Sequence, residues 1–327
     1  MLLQLWLLPF RFITLIREFL NRNIDRTFVG SNLPITSGGE WKKALRLPSF
    51  RYECGGGAVN DQIYVVGGIT APTVYTVTKK TEKYDTKSQK WSKVASLPVI
   101  VHHPGCASDG NYFYVVGGNG IRISSRKEVH RYDPLANKWT RLADLPTKRC
   151  ALGVAYLNGK IYAAGGADNK NPLSTFECYD IDTNSWQSLP NMPTSREHTY
   201  AVALCDRVYV IGGYQNDRFH NVDTFESFNT KTNIWETLPP VPARISGFSA
   251  ATWGDSIFTF GGEQGWSITD EVYEFKIKEN KWYRRENMPS ARYASVAAVA
   301  SDGIHVIGGN LKMMTDQFSQ EHDIFIP

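Results

Sequence analysis

Residues 60–68 read NDQIYVVGG, an apolar run that stops on two adjacent glycines. Tyr64, Val65 and Val66 favour a strand, and Gly67 and Gly68 end it. The phrase returns as GNYFYVVGG at 110–118, GKIYAAGG at 159–166 and DRVYVIGG at 206–213. It returns again as DSIFTFGG at 255–262 and DGIHVIGG at 302–309. A feature written six times belongs to the architecture.

Two other markers keep the same beat. Trp41, Trp91, Trp139, Trp186, Trp235 and Trp282 each stand 26 residues ahead of a glycine pair, and the pairs advance by 50, 48, 47, 49 and 47 residues. Tyr84, Tyr132, Tyr179, Phe228 and Phe275 lie seven residues before a Trp. A period near 50 with strand-like content predicts propeller blades. Each unit reads as four short strands, a to d: a after a Pro-rich turn, b ending at Gly-Gly, c carrying the Tyr, d carrying the Trp. Dipeptides such as Asn-Gly and Asp-Gly between a and b suit hairpin turns.

The phase of the repeat predicts how the ring closes. The chain enters with a lone d segment, GGEWKKALRLP, and leaves with a c segment, TDQFSQEHDIFIP, that no d follows. The two complete one blade, which removes the open edge.

A glycine pair, a Tyr and a Trp at these offsets resemble the kelch repeat over residues 36–327. The resemblance implies an all-β fold: a six-bladed kelch β-propeller of four-stranded antiparallel blades, the last closed by an N-terminal d strand. The remaining domain is residues 1–35. MLLQLWLLPF is apolar but interrupted by Pro9, and residues 10–21 have helical periodicity. That segment suits a docked helix, a membrane-surface anchor or an unusual export signal, and membrane contact through it stays open.

A net charge of +4 is weakly basic and carries no nucleic-acid signal. Five cysteines, Cys54, Cys106, Cys150, Cys178 and Cys205, form no CxxC pair and read as buried free thiols in a reducing compartment. The expectation is a cytoplasmic monomer, with membrane association or export as the alternative.

The candidate site lies at the mouth of the channel. Ten residues after each repeat Trp, where strand a opens, stand Arg51, Val101, Arg149, Arg196, Ile245 and Arg292. Arg244 precedes one slot, and His102 and His103 follow another. Guanidiniums around one opening would form a positive funnel for carboxylates. The structural reading of the same residues is that each Arg bonds to carbonyls or to acids of the neighbouring blade such as Glu82, Glu177 or Glu226. Tyr214, Gln215, Phe219, Gln264 and Trp266, on the b–c loops, would build the remaining wall. His102 and His103 are expected on opposite strand faces, unable to chelate together. No spacing suits a metal, no nucleotide or nucleophile motif occurs, and no cofactor is implied.

Two functions follow. The resemblance to kelch adaptors implies a non-catalytic protein-interaction platform that binds an acidic peptide or partner, with Arg51, Arg149, Arg196 and Arg292 at matching positions. The residues ahead of the repeats carry no BTB, BACK or F-box pattern, so a role in ubiquitination is not expected. The overall plan is also similar to bacterial N-acetylneuraminate mutarotases, which implies a mutarotase or epimerase acting on an acidic sugar. Glu53, Glu197 and Glu263 are then the candidates for acid/base work.

Overall fold

In a computed structural model, residues 31, 33–70, 76–121, 124–215, 220–265, 267–312 and 317–327 are described. The apolar segment 1–30, and with it the expected helix at 10–21, lies outside them, as do Phe219 and Trp266. Among the described residues there are 24 strands and no helix. No helix there is long and apolar enough to cross a membrane.

The strands form six four-stranded sheets, each antiparallel throughout. Blade 1 is β2 (Gly55–Val59), β3 (Gln62–Val66), β4 (Thr81–Asp85) and β5 (Lys90–Val94), in chain order. Blades 2 to 5 repeat it over residues 105–141, 153–188, 200–237 and 249–285. Blade 6 closes the ring as expected. It holds β22 (Val296–Ala300), β23 (Gly303–Ile307) and β24 (His322–Ile326), completed by β1 (Glu40–Lys43) from the other end of the chain. Trp41 stands opposite Phe325 in that pairing, and their rings are 5.0 Å apart. Residues ahead of β1 also join: Ile35 bridges to Arg284, and the Arg284 guanidinium donates to the Ser31 carbonyl at 3.4 Å.

Three rings of hydrogen bonds tie the blades, and two of them are repeat markers at work. The outer ring belongs to Trp. Every repeat Trp donates its indole N–H to the carbonyl four residues after the preceding Trp: Trp91 to Leu45, Trp139 to Ala95, Trp186 to Ala143, Trp235 to Pro190, Trp282 to Pro239 and Trp41 to Glu286. The Trp thus fills the wedge between blades and also staples it.

The middle ring explains the glycine pair. Gly67 and Gly68 sit at φ of 65° and 91°, which side chains resist. The Gly68 N–H donates to the Val101 carbonyl, 2.7 Å away, where blade 2 begins. A Cβ on Gly67 would run into that same oxygen. The five other pairs make the equivalent bond, round to Gly309 on Arg51 at 2.9 Å.

The inner ring lies where the chain enters strand a. Glu53, His103, Ala151, His198, Gly247 and Ala294 all have φ of 50–55°. Each donates its N–H to the carbonyl of the counterpart in the preceding blade, so the six bonds form a closed circle: His103 to Glu53 (2.9 Å), Ala151 to His103 (2.9 Å), His198 to Ala151 (2.9 Å), Gly247 to His198 (3.3 Å), Ala294 to Gly247 (2.5 Å) and Glu53 to Ala294 (3.3 Å). Among the a strands, Gly55, Gly56, Gly105 and Gly153 line a cavity of about 50 Å³. Ligand pockets are several-fold larger, about 300–1,000 Å³, so the channel is a packed hub and its mouth is where chemistry can occur.

Candidate functional site: the channel mouth and a basic groove

The arginines do not form a solvent-open funnel. Arg51, Arg149, Arg196 and Arg292 are all 0% exposed. Each is bound to a carboxylate of the c strand: Arg51 to Glu82, Arg149 to Glu177 at 2.6 Å, Arg196 to Glu226 at 2.9 Å, and Arg292 to Asp323. Arg149 also donates to the carbonyls of Ala163, Gly165 and Thr175. The partner acids belong to the arginine's own blade, not to the next one. Burial draws Arg149 down to about 10, against the opposing charge of Glu177. A guanidinium enclosed in this way, at 0% exposure and already neutralised by a carboxylate, is out of reach of an arriving ligand. Arg244 is the exception, with a side chain 75% exposed and 3.9 Å from Asp223.

Sequence held a signal for this. The acids at Glu82, Glu177, Glu226 and Asp323 occupy one register position, two residues before the b-strand Gly-Gly on the facing strand. Where the slot is Val101 or Ile245, that position holds His130 or Tyr273 instead. Arginine and acid come together or not at all, which is the mark of a pair.

What lines the mouth is the inner ring and the residues beside it. His103 Nε2 is 2.9 Å from Glu53 Oε2, and His198 Nδ1 is 3.4 Å from Glu197 Oε2. The His103 and His198 rings are 4.9 Å apart. His102 and His103 were expected to diverge, yet their Nδ1 atoms are 2.5 Å apart. The cause is the left-handed backbone at His103, which breaks the strand alternation. Tyr214 bridges to Glu197 across the backbone, packs on His198 at 4.9 Å and donates its hydroxyl to Glu263. The weak acid/base candidates Glu53, Glu197 and Glu263 therefore gather in one place. Gln264 lies instead within its own hairpin, bonded to Glu271 at 3.0 Å. An apolar cluster lies beside the mouth at blades 1 and 6: Ile69, Val77 and Phe318 pack with Tyr52, whose ring stacks on Phe318 at 4.6 Å.

Electrostatics at the polar side are strongly coupled. Burial would raise Glu53, but the charge and hydrogen bond of His103, helped by His198 and His102, hold it down at about 2. Burial pushes His198 down, while the hydrogen bond of Glu197 and the charges of Glu53, Glu197 and Glu263 raise it overall. Burial, then the charge of His103, draws His102 down to about 4. All five cysteines are free, but only Cys150 and Cys178 are buried as expected; Cys54 and Cys106 are half-buried and Cys205 is exposed, in the tight turn between two strands.

Away from the mouth, a groove of about 500 Å³ opens beside blades 2 and 3. Arg126, Lys127, Arg141 and Lys148 line it together with Ile100 and Ile121. Glu128 pairs with Arg126 at 2.9 Å, and Asp144 pairs with Arg141 and Lys127 at 2.9 and 3.4 Å. Four cations face two carboxylates, so the groove keeps a positive balance.

Fold and repeat together define a propeller built from kelch units. A family model for the KLHDC2/KLHL20/DRC7 Kelch-repeats domain matches residues 154–322, and the Kelch motif matches residues 51–98 and 101–146. The chain belongs to the kelch-repeat family. It is 30% identical to Kelch-like protein 40 of Xenopus laevis over 142 residues, which is 43% of this chain and 23% of that protein. Identity to human Kelch-like protein 40 is 34% over the same length and the same shares. With mouse Kelch-like protein 41 it is 37% over 79 residues, 24% of this chain and 13% of that protein. The matched stretches span less than a quarter of these relatives. The solved structure of YjhT superposes with a TM-score of 0.72 at 18% identity, covering 85% of this chain and 95% of that one, and so shares the fold. Kelch-repeat propellers generally mediate protein interactions.

Proposed function

We propose that the protein is a non-catalytic interaction platform that holds an acidic peptide segment in the groove beside blades 2 and 3. The observation that supports this reading is the groove's lining: four cations against Glu128, with Asp144 paired beside them and Ile100 and Ile121 for apolar side chains. Long-range attraction of an acidic chain suits such a surface. The expected arginine rim does not contribute, because its four buried members are already paired.

The test is fluorescence anisotropy of the full chain with a panel of Asp/Glu-rich, neutral and Lys-rich peptides. Acidic peptides should bind, weaken between 50 and 300 mM salt, and lose at least ~10-fold in affinity to the double variant Lys127→Glu, Lys148→Glu. Equal binding of neutral peptides, or an unaffected double variant, would refute the reading.

The gathering of Glu53, Glu197 and Glu263 with His103 and His198 favours a second reading, proton transfer on an acidic sugar. Such a substrate also needs a cation for its carboxylate, and the four buried arginines do not offer one. The platform reading is therefore the better supported.

A further inference from the structure

We propose that Glu53, His103 and His198 bind one divalent first-row transition ion, of the zinc class, at the base of the channel mouth. The inference concerns the mouth and stands apart from the groove reading.

Three observations carry it. First, one oxygen or nitrogen donor from each of the three residues lies within 4.8 Å of the others. An ion bonded at about 2.0–2.2 Å needs its donors about 3–3.5 Å apart. His103 Nε2 and Glu53 Oε2, at 2.9 Å, already stand at that spacing. Small side-chain rotations bring in His198.

Second, the donors come from blades 1, 2 and 4 and occupy the same left-handed position of the inner ring. Their backbones are fixed by the closed circle of hydrogen bonds, so the set is preorganised. The intervening ring residue is Ala151, which leaves room between His103 and His198. The three side chains are 12–14% exposed, shielded yet reachable from the mouth.

Third, each imidazole has a polar group beside Nδ1: a hydrogen-bond partner at His103, and at His198 a carboxylate at ion-pair distance that a small rotation would bring into a bond. His102 Nδ1 is 2.5 Å from His103 Nδ1, and Glu197 Oε2 is 3.4 Å from His198 Nδ1. With the Nδ1–H of each ring turned to its outer partner, the Nε2 lone pairs are left for the ion. Such partners are the usual means of fixing the tautomer of a ligating histidine. Two neutral histidines and a carboxylate make a nitrogen–oxygen set that suits Zn²⁺ and its neighbours. Three protein ligands leave at least one coordination position toward the mouth for water or a ligand oxygen. Bound there, the ion would also offset the carboxylates of Glu53, Glu197 and Glu263.

The experiment uses the full chain, freed of metal by dialysis against a chelator. Zn²⁺ is titrated by calorimetry and Co²⁺ by its visible spectrum. The expected result is one equivalent of each ion, with Co²⁺ bands of nitrogen–oxygen ligation and no thiolate charge-transfer band. Glu53→Gln, His103→Asn and His198→Asn should each weaken Zn²⁺ by more than ~100-fold, and the outer partner variant Glu197→Gln by about 10–100-fold. Cys205→Ser, which removes the exposed thiol, should change nothing. Thermal melts establish that each variant is folded. Should the ligand variants fail to fold, the Co²⁺ spectrum of the unaltered protein decides alone. Absence of saturable binding, a thiolate band, or binding that survives His103→Asn with His198→Asn would overturn the proposal.

Discussion

Blades 1, 3, 4 and 6 bury an arginine at the entry to strand a and a carboxylate on strand c. Blades 2 and 5 hold Val101 with His130 and Ile245 with Tyr273 at the same two places. All six blades nevertheless make the same glycine-pair bond and the same inner-ring bond. The hub tolerates either a complete ion pair or a pair of residues with no formal charge in conflict. What it does not contain, in any blade, is half a pair. A buried charge without its partner is the costly state, whereas an apolar replacement of both partners is often neutral.

The severest way to break that comparison is to reverse two of the arginines. Arg149→Glu with Arg196→Glu would set two carboxylates against Glu177 and Glu226 at 0% exposure. Each site is expected to lose at least about 3–5 kcal/mol, which together approaches the whole stability of an ordinary domain, about 5–15 kcal/mol. The cooperative melt followed by circular dichroism should vanish. Arg244→Glu, at a side chain 75% exposed, is the control and should leave the melt within a few degrees of the parent. A double reversal that melts like the parent would restore the arginines to solvent and undo the pairing argument.

A gentler experiment sharpens it by turning one class of blade into the other. Glu177→Ala alone leaves Arg149 unpartnered and should cost about 3–5 kcal/mol. Arg149→Val combined with Glu177→His writes blade 2's residues into blade 3. That double variant should be more stable than Glu177→Ala and should show favourable coupling of at least about 2 kcal/mol in a double-mutant cycle. Strict additivity of the two single changes would mean that the pair is not the unit of stability.

Ring number, strand order and closure were all legible, because each rests on local pattern. The Gly-Gly phrase needs only its own backbone, and the unmatched c and d segments at the two ends show that one blade is shared. The direction of Arg149 was harder. Position fixed it at the rim, but only the acid on the facing strand turns it inward, and that acid is 28 residues away. His103 was less legible still. A left-handed backbone at a histidine is uncommon, and alternation predicts its side chain on the wrong face. Glu53 and His198 share that conformation, so the set at the mouth depends on a turn whose sequence carries no Gly or Asn at five of its six occurrences.

Blade 6 offers the smallest and most specific test. Just before the c-strand acid position, the other blades hold Thr81, Val129, Phe176, Phe225 and Val272; blade 6 holds His322. It is 0% exposed, its Nε2 is 2.7 Å from His305 Nδ1, and its Nδ1 is 3.1 Å from the Leu45 carbonyl. Burial, then the charges of His305 and Arg292, draw it down to about 3. Its ordinary value near 6.5 holds in the unfolded chain. Between those values the unfolded state binds the extra proton, so His322 weakens the fold as pH falls from about 6.5 toward 3 and has no such effect above that window. Between pH 6.5 and 5 the loss is about 2 kcal/mol. His322→Val gives blade 6 the residue of blades 2 and 5. It should narrow the drop in melting temperature between pH 7 and pH 5, whatever it does to the melt at pH 7, while the lowered His305 keeps some of that drop in place. An unchanged drop would mean that the strand joining the two ends of the chain is not where acid first opens the ring.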